Sequence, residues 1–303
     1  MPIGTGQFVV TDFRVNDVVQ FVANENYRDP NKPAFAAVTF KGGGDATAAG
    51  RSVMETGEFD YAWNMQLAPD VIASMAEGGM GVPVSAFGTM VERIEMNLTD
   101  QSPSQPEGVR EALSISIDRD LLVEVGYGQA GRPTCNLVPA PALYASDNTA
   151  CLTQDMDRAN ALLDEAGFMM GGDGVRVNAD GVRLSVLYQT STNAVRQDFQ
   201  ALIKQWWEEI GVETELRNID AGVFFGGDPG SPDTFQRFYS DVEIYANNFP
   251  GTDPQAYLGA YLYDNIPSPE TLWQGDNINR FCDPAYDALW AELAATADLV
   301  FRV

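Results

Sequence analysis

The stretch GYGQAG, Gly126 to Gly131, has the glycine spacing of loops that bind the pyrophosphate of a dinucleotide. Such a loop binds phosphate only where it follows a strand and opens a helix, because the first N–H groups of that helix face the anion. Here the preceding residues, VREALSISIDRDLLVEV, repeat apolar side chains from Val109 to Val125 at helical spacing. The following residues, RPTCNLVPAP, cannot open a helix. The glycines therefore predict a helix end and a chain reversal, which argues against a dinucleotide-binding enzyme.

Catalysis that depends on histidine is excluded, because the sequence contains no histidine. This removes serine–histidine and cysteine–histidine nucleophiles, as well as metal sites built on histidine. The carboxylates are numerous but scattered, and no metal or cofactor is predicted. A glycosidase-like hydrolase needs only two carboxyl groups about 5 to 10 Å apart. Asp220, Asp228 and Asp253 are the candidates for that alternative, with Asp228 and Asp253 preferred.

The elements that could position a binding site are clearest between residues 183 and 219. RLSVLYQT alternates like a strand, TNAVRQDFQALIKQWWEEIG has the apolar period of a helix, and VETELRNI predicts a second strand. Thr192 is predicted to cap the helix and Gly211 to end it. This is a βαβ unit, so the two strands should be parallel with a right-handed crossover. DVEIYANN predicts a third strand of the same sheet.

Hydroxyl and amide side chains follow two of these predicted strands. In open α/β sheets, ligands bind beyond the carboxyl ends of the strands. Such groups orient a polar ligand without reacting with it; the alternative is that they only cap helices and form turns. The candidate ligand-binding residues are Tyr188, Thr190, Thr192, Asn193, Tyr245, Asn247, Asn248 and Asp253.

The net charge of −25 argues against binding to nucleic acid or anionic membranes. It is typical of a well-solvated exported protein, and attraction of a cationic ligand is the alternative. Cys135 and Cys151 flank one short loop and predict a disulfide, hence an oxidising compartment, with two free thiols as the alternative. Cys282 is left unpaired. No apolar run is long enough to cross a membrane.

The N-terminal part predicts mixed α and β structure. The strands are GQFVVTDF, DVVQFVANE, AFAAVTFKGGG, EFDYAWN and VERIEMNLT, and the helices are DATAAGRSVMETG and PDVIASMAEGG. DQSPSQPEG, rich in proline, serine and glycine, then marks a boundary. The predicted organisation is a partial first α/β lobe over residues 1–106 and a second α/β lobe over residues 107–303.

Several motifs together resemble one family. GTGQFVVTDFRVND, TGEFDYAW, VREALSISIDRDLLVEVGYGQAGRPT, ANALLDEAGF and NINRFCDPAYDALWAELA occur in the order found in family 5 extracellular solute-binding proteins. The resemblance covers nearly the whole chain. It implies a type II periplasmic-binding-protein-like fold, with two lobes of mixed β-sheets flanked by helices that close on a ligand. It also implies a signal peptide in the precursor, earlier first-lobe strands and a small extra domain before GTGQF, and further elements after Val303.

The resemblance also implies a function and site residues. The function is that of an extracytoplasmic receptor, monomeric and non-enzymatic, that delivers an oligopeptide-like or other polar organic solute to the membrane subunits of an ABC importer. In peptide-binding members an aspartate after the strand matching VEIYANN receives the peptide amine; here Asn247 or Asn248 stands there. An amide cannot neutralise an ammonium group, which puts a free-amine peptide ligand in doubt.

The YAWN stretch resembles a first-lobe segment that lines the cleft. It implies that Trp63 stacks on the ligand and that Asn64 binds it by a hydrogen bond. A tryptophan of the core is the alternative for Trp63. Two other functions stay open: a carboxylate-based hydrolase, and a binding module that acts as a chaperone or signalling receptor.

Overall fold

The computed structural model describes residues 4–139, 143–248, 253–298 and 302. The chain divides into two compact units, Met1–Ala49 and Gly50–Val303. The first unit is a three-stranded antiparallel sheet in the order β1 (Phe8–Arg14), β2 (Val18–Ala23), β3 (Ala37–Lys41). The tight turn between β1 and β2 is closed by the N–H of Asp17, which donates to the carbonyl of Arg14 at 3.1 Å. All three predicted strands are confirmed.

After this sheet the chain forms two helices, and one predicted strand is absent. Helix α1 (Ala46–Met54) is capped by Asp45, whose Oδ1 accepts the N–H of Ala48 at 2.8 Å. Helix α2 spans Pro69–Ala76. The strand predicted for EFDYAWN does not form. Gly57 (φ 64°), just before this stretch, and Asn64 (φ 54°), its last residue, hold left-handed backbone conformations, which an extended strand does not accommodate.

The main sheet contains β4 (Met90–Met96), β7 (Ser185–Ser191), β8 (Glu213–Ile219) and β9 (Val242–Asn248), in the order β4-β9-β7-β8. Strands β7 and β8 are parallel, as are β7 and β9, whereas β4 is antiparallel to β9. Helix α6 (Ala194–Glu209) connects β7 to β8, so the predicted βαβ unit and its third strand are confirmed. The predicted lobe boundary at residue 106 lies between β4 and β9 in the sequence, although these two strands are paired in this sheet.

The ends of α6 were predicted only in part. Gly211 follows the helix with φ 85°, as expected. The N-cap is Asn193, whose Oδ1 accepts the N–H of Arg196 at 3.1 Å, so the prediction of Thr192 as cap was wrong. The helix starts at Ala194, and the N–H of Thr192 still donates to the carbonyl of Ile219 in the neighbouring strand at 2.9 Å, so Asn193 is the residue at which the chain enters the helix.

The stretch before GYGQAG forms two helices, α3 (Glu107–Ile115) and α4 (Arg119–Gly126), where one was predicted. Asp118 separates them, because its Oδ1 accepts the N–H of Leu121 at 3.0 Å and starts a new helix. A helix does precede the glycines, as predicted. A Cβ on Gly126 would stand 2.3 Å from the Phe199 ring, so this glycine allows α4 to pack closely on α6.

The core lies between the main sheet and helices α3, α5 (Met156–Glu165) and α6. Trp207 is fully buried, donates from Nε1 to the carbonyl of Leu113 at 3.0 Å, and packs on Tyr188. Each large apolar side chain buried here contributes about 1.5–3 kcal/mol. The short strands β5 (Met169–Met170) and β6 (Arg176–Val177) form a hairpin, and α7 (Ala221–Phe224), α8 (Gln255–Leu258) and α9 (Pro284–Ala295) complete the described elements.

The predicted disulfide between Cys135 and Cys151 is present, and Cys282 is free and exposed. Within the described ranges, no helix combines the length and the apolar character needed to cross a membrane.

A candidate ligand cavity beside the main sheet

A cavity of about 1510 Å³ lies within the second unit. Its wall is formed by β4, by residues between α1 and β4, by α4, and by the loop that carries the disulfide. The lining contains apolar, aromatic, polar and charged side chains. The polar and aromatic residues that matter below are Asp60, Asn64, Gln66, Phe87, Glu92, Arg93, Glu95, Arg119, Tyr127, Arg132 and Tyr261. The volume exceeds the roughly 300–1,000 Å³ of a typical drug-sized site, whereas apolar walls with a few polar groups are typical of ligand sites.

One buried ion pair joins β4 to the first turn of α6. Arg196 Nε lies 2.8 Å from Glu92 Oε1, and its Nη2 lies 3.3 Å from Oε2. Tyr127 at the end of α4 donates its hydroxyl to Glu92 Oε2 at 2.7 Å. Gln66 Nε2 donates to the same oxygen at 3.3 Å, and Asn193 Nδ2 donates to Gln66 Oε1 at 3.3 Å. We call these five residues the Glu92 cluster.

The Glu92 cluster is a positioning device. Burial, and then the nearby Glu92 carboxylate, raise the pKa of Tyr127, so its hydroxyl stays a donor. Glu92 is held by a guanidinium, a phenol and an amide, which is the full pairing that a buried carboxylate requires. Its charge is balanced by Arg196, and three of its four hydrogen bonds converge on Oε2, so the carboxylate is tied into the protein structure. The cluster fixes three chain segments, at Gln66, Tyr127 and Asn193, around one wall of the cavity.

A second charged group uses the opposite face of β4. Arg93 forms an ion pair with Glu95 and donates from Nη1 to the Tyr257 hydroxyl at 3.0 Å. Its guanidinium carbon lies 5.2 Å, 5.8 Å and 6.0 Å from the ring centres of Tyr245, Tyr257 and Tyr261. Burial alone would lower the pKa of Arg93, but Glu95 and the tyrosines more than offset it and raise the pKa. This group, the Arg93 cluster, stays charged and rigid.

The structure places the two YAWN residues differently. Asn64 lines the cavity, and its role as a residue that hydrogen-bonds the ligand stays a prediction. Trp63 does not belong to the cavity lining and is 71% exposed, so the alternative of a core tryptophan is wrong. An indole this exposed has most of its face open to solvent.

The predicted residues at the strand ends separate into three groups. Tyr188 and Thr190 have no exposed surface: Tyr188 packs on Trp207, and Thr190 Oγ1 donates to the carbonyl of Ile244 at 2.6 Å. Their positions in the sheet interior offer nothing to a ligand in this structure. Asn193 belongs to the Glu92 cluster, and Tyr245 belongs to the Arg93 cluster.

The remaining strand-end residues lie at or after the end of β9 or β7. Thr192 and Asn248 are exposed, and Asn247 Oδ1 accepts the N–H of Asn248 at 2.8 Å at the end of β9. Residues 249–252 of the candidate stretch lie outside the described residues. Asp253 forms an ion pair with Arg302, whose Nε donates to Oδ2 at 2.9 Å and lowers the pKa of the carboxyl.

The carboxylates proposed for hydrolysis have local structural roles. Asp220 caps α7 by accepting the N–H of Gly222 at 2.9 Å. Asp228 accepts the N–H of Gly230 at 2.9 Å in a turn. Together with Asp253, which Arg302 binds, they do not line the cavity. Within the described parts of the chain, no three histidine, cysteine, aspartate or glutamate side chains are grouped to hold a metal ion.

Sequence reasoning missed the residues of β4. The strand VERIEM carries Glu92, Arg93 and Glu95 among apolar residues, and charges within a strand that packs on a core must find partners. That signal marks β4 as unusual. It does not identify Arg196 as the partner of Glu92, because a contact across 104 positions depends on the fold.

The family model described as "Bacterial extracellular solute-binding proteins, family 5 Middle" matches residues 1–274. The chain belongs to this family. Glutathione-binding protein GsiB of Escherichia coli (strain K12) is 25% identical over 222 residues, 73% of this chain and 40% of the relative. Heme-binding protein A of Haemophilus influenzae is 28% identical over 254 residues, 77% of this chain and 43% of the relative. The chain thus spans less than half the length of these relatives.

Solved structures show the same fold. The oligopeptide-binding protein AppA of Bacillus subtilis, in complex with a nonapeptide, superposes with a TM-score of 0.80 at 19% identity. This comparison covers 99% of this chain and 56% of AppA. NikZ of Campylobacter jejuni, in complex with Ni(L-His), gives a TM-score of 0.82 at 19% identity over 99% of this chain and 57% of NikZ. The expected type II periplasmic-binding-protein-like fold is confirmed.

Proposed function

We propose that this chain is the ligand-binding part of a solute receptor that delivers a polar organic solute, peptide-like or otherwise, to an ABC importer. The cavity beside β4 carries the proposal. It is large, it has polar and aromatic walls, and the charges at its base are already paired within the Glu92 and Arg93 clusters. Preorganised walls of this kind favour binding over chemistry, because a catalytic acid or base needs access to the substrate proton.

The receptor acts outside the cytoplasm, in the periplasm or at the cell surface, and its partners are the importer's membrane subunits. The Cys135–Cys151 disulfide supports this location, because disulfides persist in oxidising compartments. It acts as a monomer and without turnover of the solute. Trp63, Asn64, Thr192, Asn193, Tyr245, Asn247, Asn248 and Asp253 remain the proposed ligand-binding residues.

The related proteins are named for, or hold, different classes of ligand. One relative is named for glutathione and another for haem, and the related structures hold a nonapeptide and Ni(L-His). For this chain, the amides at Asn247 and Asn248 argue against recognition of a free amine, since they carry no charge.

Thermal unfolding with a ligand panel tests the proposal. The panel contains free-amine peptides, the same peptides N-acetylated, and oligosaccharides. A ligand present at about 100 times its Kd adds about 2.7 kcal/mol to the stability of the folded state, which raises Tm by a few degrees. We expect acetylated peptides or sugars to raise Tm. A shift by free-amine peptides alone would mean that a carboxylate elsewhere binds the amine, and chromatography showing conversion of the bound solute would contradict a receptor role.

A further inference from the structure

The cavity is not acidic, although the chain is. Acidic residues outnumber basic ones by 43 to 18 in the whole sequence, whereas the cavity is lined by three of each. The acidic ones are Asp60, Glu92 and Glu95, and the basic ones are Arg93, Arg119 and Arg132. The solute therefore does not meet the strongly negative surface that the composition alone would predict.

Most of these charges already have partners. Glu92 is paired with Arg196, and Arg93 with Glu95. Arg119 uses its guanidinium to hold backbone: Nη1 donates to the carbonyls of Ser114 at 2.9 Å and Cys151 at 2.8 Å. The charged groups of Glu92, Arg93 and Arg119 are therefore bound by other groups of the protein.

Arg132 differs from the other two cavity arginines. It is exposed, and it forms neither an ion pair nor a hydrogen bond with the described part of the chain. Its guanidinium carbon lies 4.6 Å from the ring centre of Phe87, which is itself a cavity residue and 59% exposed. Stacking on an aromatic face holds the plane of a guanidinium while leaving its in-plane N–H donors free.

We infer that Arg132, held on the face of Phe87, receives an oxyanion of the solute, a carboxylate or a phosphate. A planar guanidinium binds such a group through two parallel hydrogen bonds, which a lysine cannot reproduce. The inference rests on the proposed receptor function and makes it more specific: the solute carries an anionic group. Attraction of a cationic ligand, the alternative suggested by the net charge, is not what this cavity favours.

The test uses the 303-residue chain and two pairs of probes. N-acetyl-trialanine is compared with N-acetyl-trialanine amide, and glucose 6-phosphate with glucose, by isothermal titration calorimetry. Each pair differs only in the anionic group, so the first pair reports a carboxylate and the second a phosphate. The same titrations are repeated with Arg132→Gln, Arg132→Lys and Phe87→Leu. Arg28→Gln is the matched control, because it makes the same substitution at an exposed arginine that does not line the cavity.

We expect the parent chain to prefer the anionic member of one pair. Arg132→Gln should weaken that member about 10-fold or more, since charge-assisted hydrogen bonds are lost, and should leave the neutral member within about 3-fold. The affinities of Arg132→Lys and Phe87→Leu for that member should lie between those of the parent and Arg132→Gln, while Arg28→Gln should leave the affinity for the anion unchanged.

Other outcomes separate the two hypotheses. If a probe binds the parent and Arg132→Gln equally well, the assignment of Arg132 is wrong and the receptor function stands. If the neutral members bind as tightly as the anionic ones, the solute needs no oxyanion and the inference is again overturned. If none of the probes binds the parent chain, the result counts against both the receptor function and the inference.

Discussion

Two regions of the second unit use their aromatic and apolar side chains in opposite ways. In the layer formed by β7, α6 and β8, Tyr188, Ile203 and Trp207 have no exposed surface. In residues 57–88, which we call the wall segment, several large apolar side chains are more than half exposed: Tyr61, Trp63, Met80, Val82, Val84 and Phe87. The first region gains stability from burial. The second leaves its apolar surface available for contacts, which is typical of binding surfaces.

Replacing a tryptophan in each region is the strongest way to test this contrast. Trp207→Ala should lower the free energy of unfolding by about 3–5 kcal/mol, because it opens a cavity in the core and removes the donor to the Leu113 carbonyl. Trp63→Ala, on the wall segment, should change it by no more than about 0.5 kcal/mol. Urea denaturation monitored by circular dichroism measures both. A loss of similar size in the two variants would contradict the contrast.

The Glu92 cluster joins the two regions, so breaking it should affect both. Arg196→Met should lower the free energy of unfolding by about 3 kcal/mol, because Glu92 would remain buried without its cation. The double variant Arg196→Met with Glu92→Gln should recover part of this loss, since no unpaired charge remains. Chemical denaturation of the single and double variants provides the measurement. A double variant less stable than Arg196→Met would show that the pair is not coupled as described.

Glu243 offers a pH-dependent test within the sheet. The residue is fully buried beside Gln189 and Ser240, with Arg280 and Glu95 as the charged neighbours, and burial raises its pKa well above 4.5. The folded state therefore retains a proton that the unfolded chain releases. Stability from this group is complete below the unfolded pKa and falls as the pH rises from there toward the folded pKa.

The substitution Glu243→Gln should remove this decrease in stability with rising pH. The variant should match the parent near pH 4.5 and be more stable than the parent near pH 7.5, because the amide has no proton to lose. Urea denaturation at pH 4.5, 6 and 7.5 measures the difference. Glu215→Gln, at an exposed position of β8, is the control for removing a carboxylate from this sheet. If Glu243→Gln and the parent have the same pH profile, Glu243 is ionised in the folded state.

The smallest effect on stability, and the clearest on binding, is expected in the wall segment. For a solute that raises Tm, Trp63→Ala should weaken affinity about 3- to 10-fold if the indole stacks on the ligand. Phe35→Ala, which removes an equally exposed aromatic side chain outside the cavity, is the matched control. Fluorescence titration of the parent and both variants gives the Kd values. Equal losses in the two variants would point to a nonspecific effect of removing an exposed aromatic side chain.

The helices and strands that could be predicted from the sequence are those whose hydrophobic spacing matches the fold. The βαβ unit was predictable because α6 repeats its apolar side chains at helical spacing between two alternating segments. The break between α3 and α4 at Asp118 was not predictable, because the apolar spacing from Val109 to Val125 continues across it. The strand predicted for EFDYAWN failed because left-handed backbone at Asn64 leaves no trace in hydrophobic patterning.

The site was predictable only in outline. Reasoning from strand ends led to Asn193 and Tyr245, which do belong to the two clusters. Glu92, Arg93 and Tyr127 were missed, because their roles depend on tertiary contacts between elements far apart in the chain. The ion pair of Glu92 with Arg196 is the clearest case.

The close approach of α4 and α6 at Gly126 gives a way to reshape the cavity without altering its charge. Tyr127, the next residue, contacts Phe199 edge to face and binds Glu92. Gly126→Ala would push a methyl group into the Phe199 ring, so α4 would have to shift and carry the Tyr127 hydroxyl with it. For protein engineering, a single carbon added at this glycine, which does not itself line the cavity, would change the shape of the cavity wall at Tyr127.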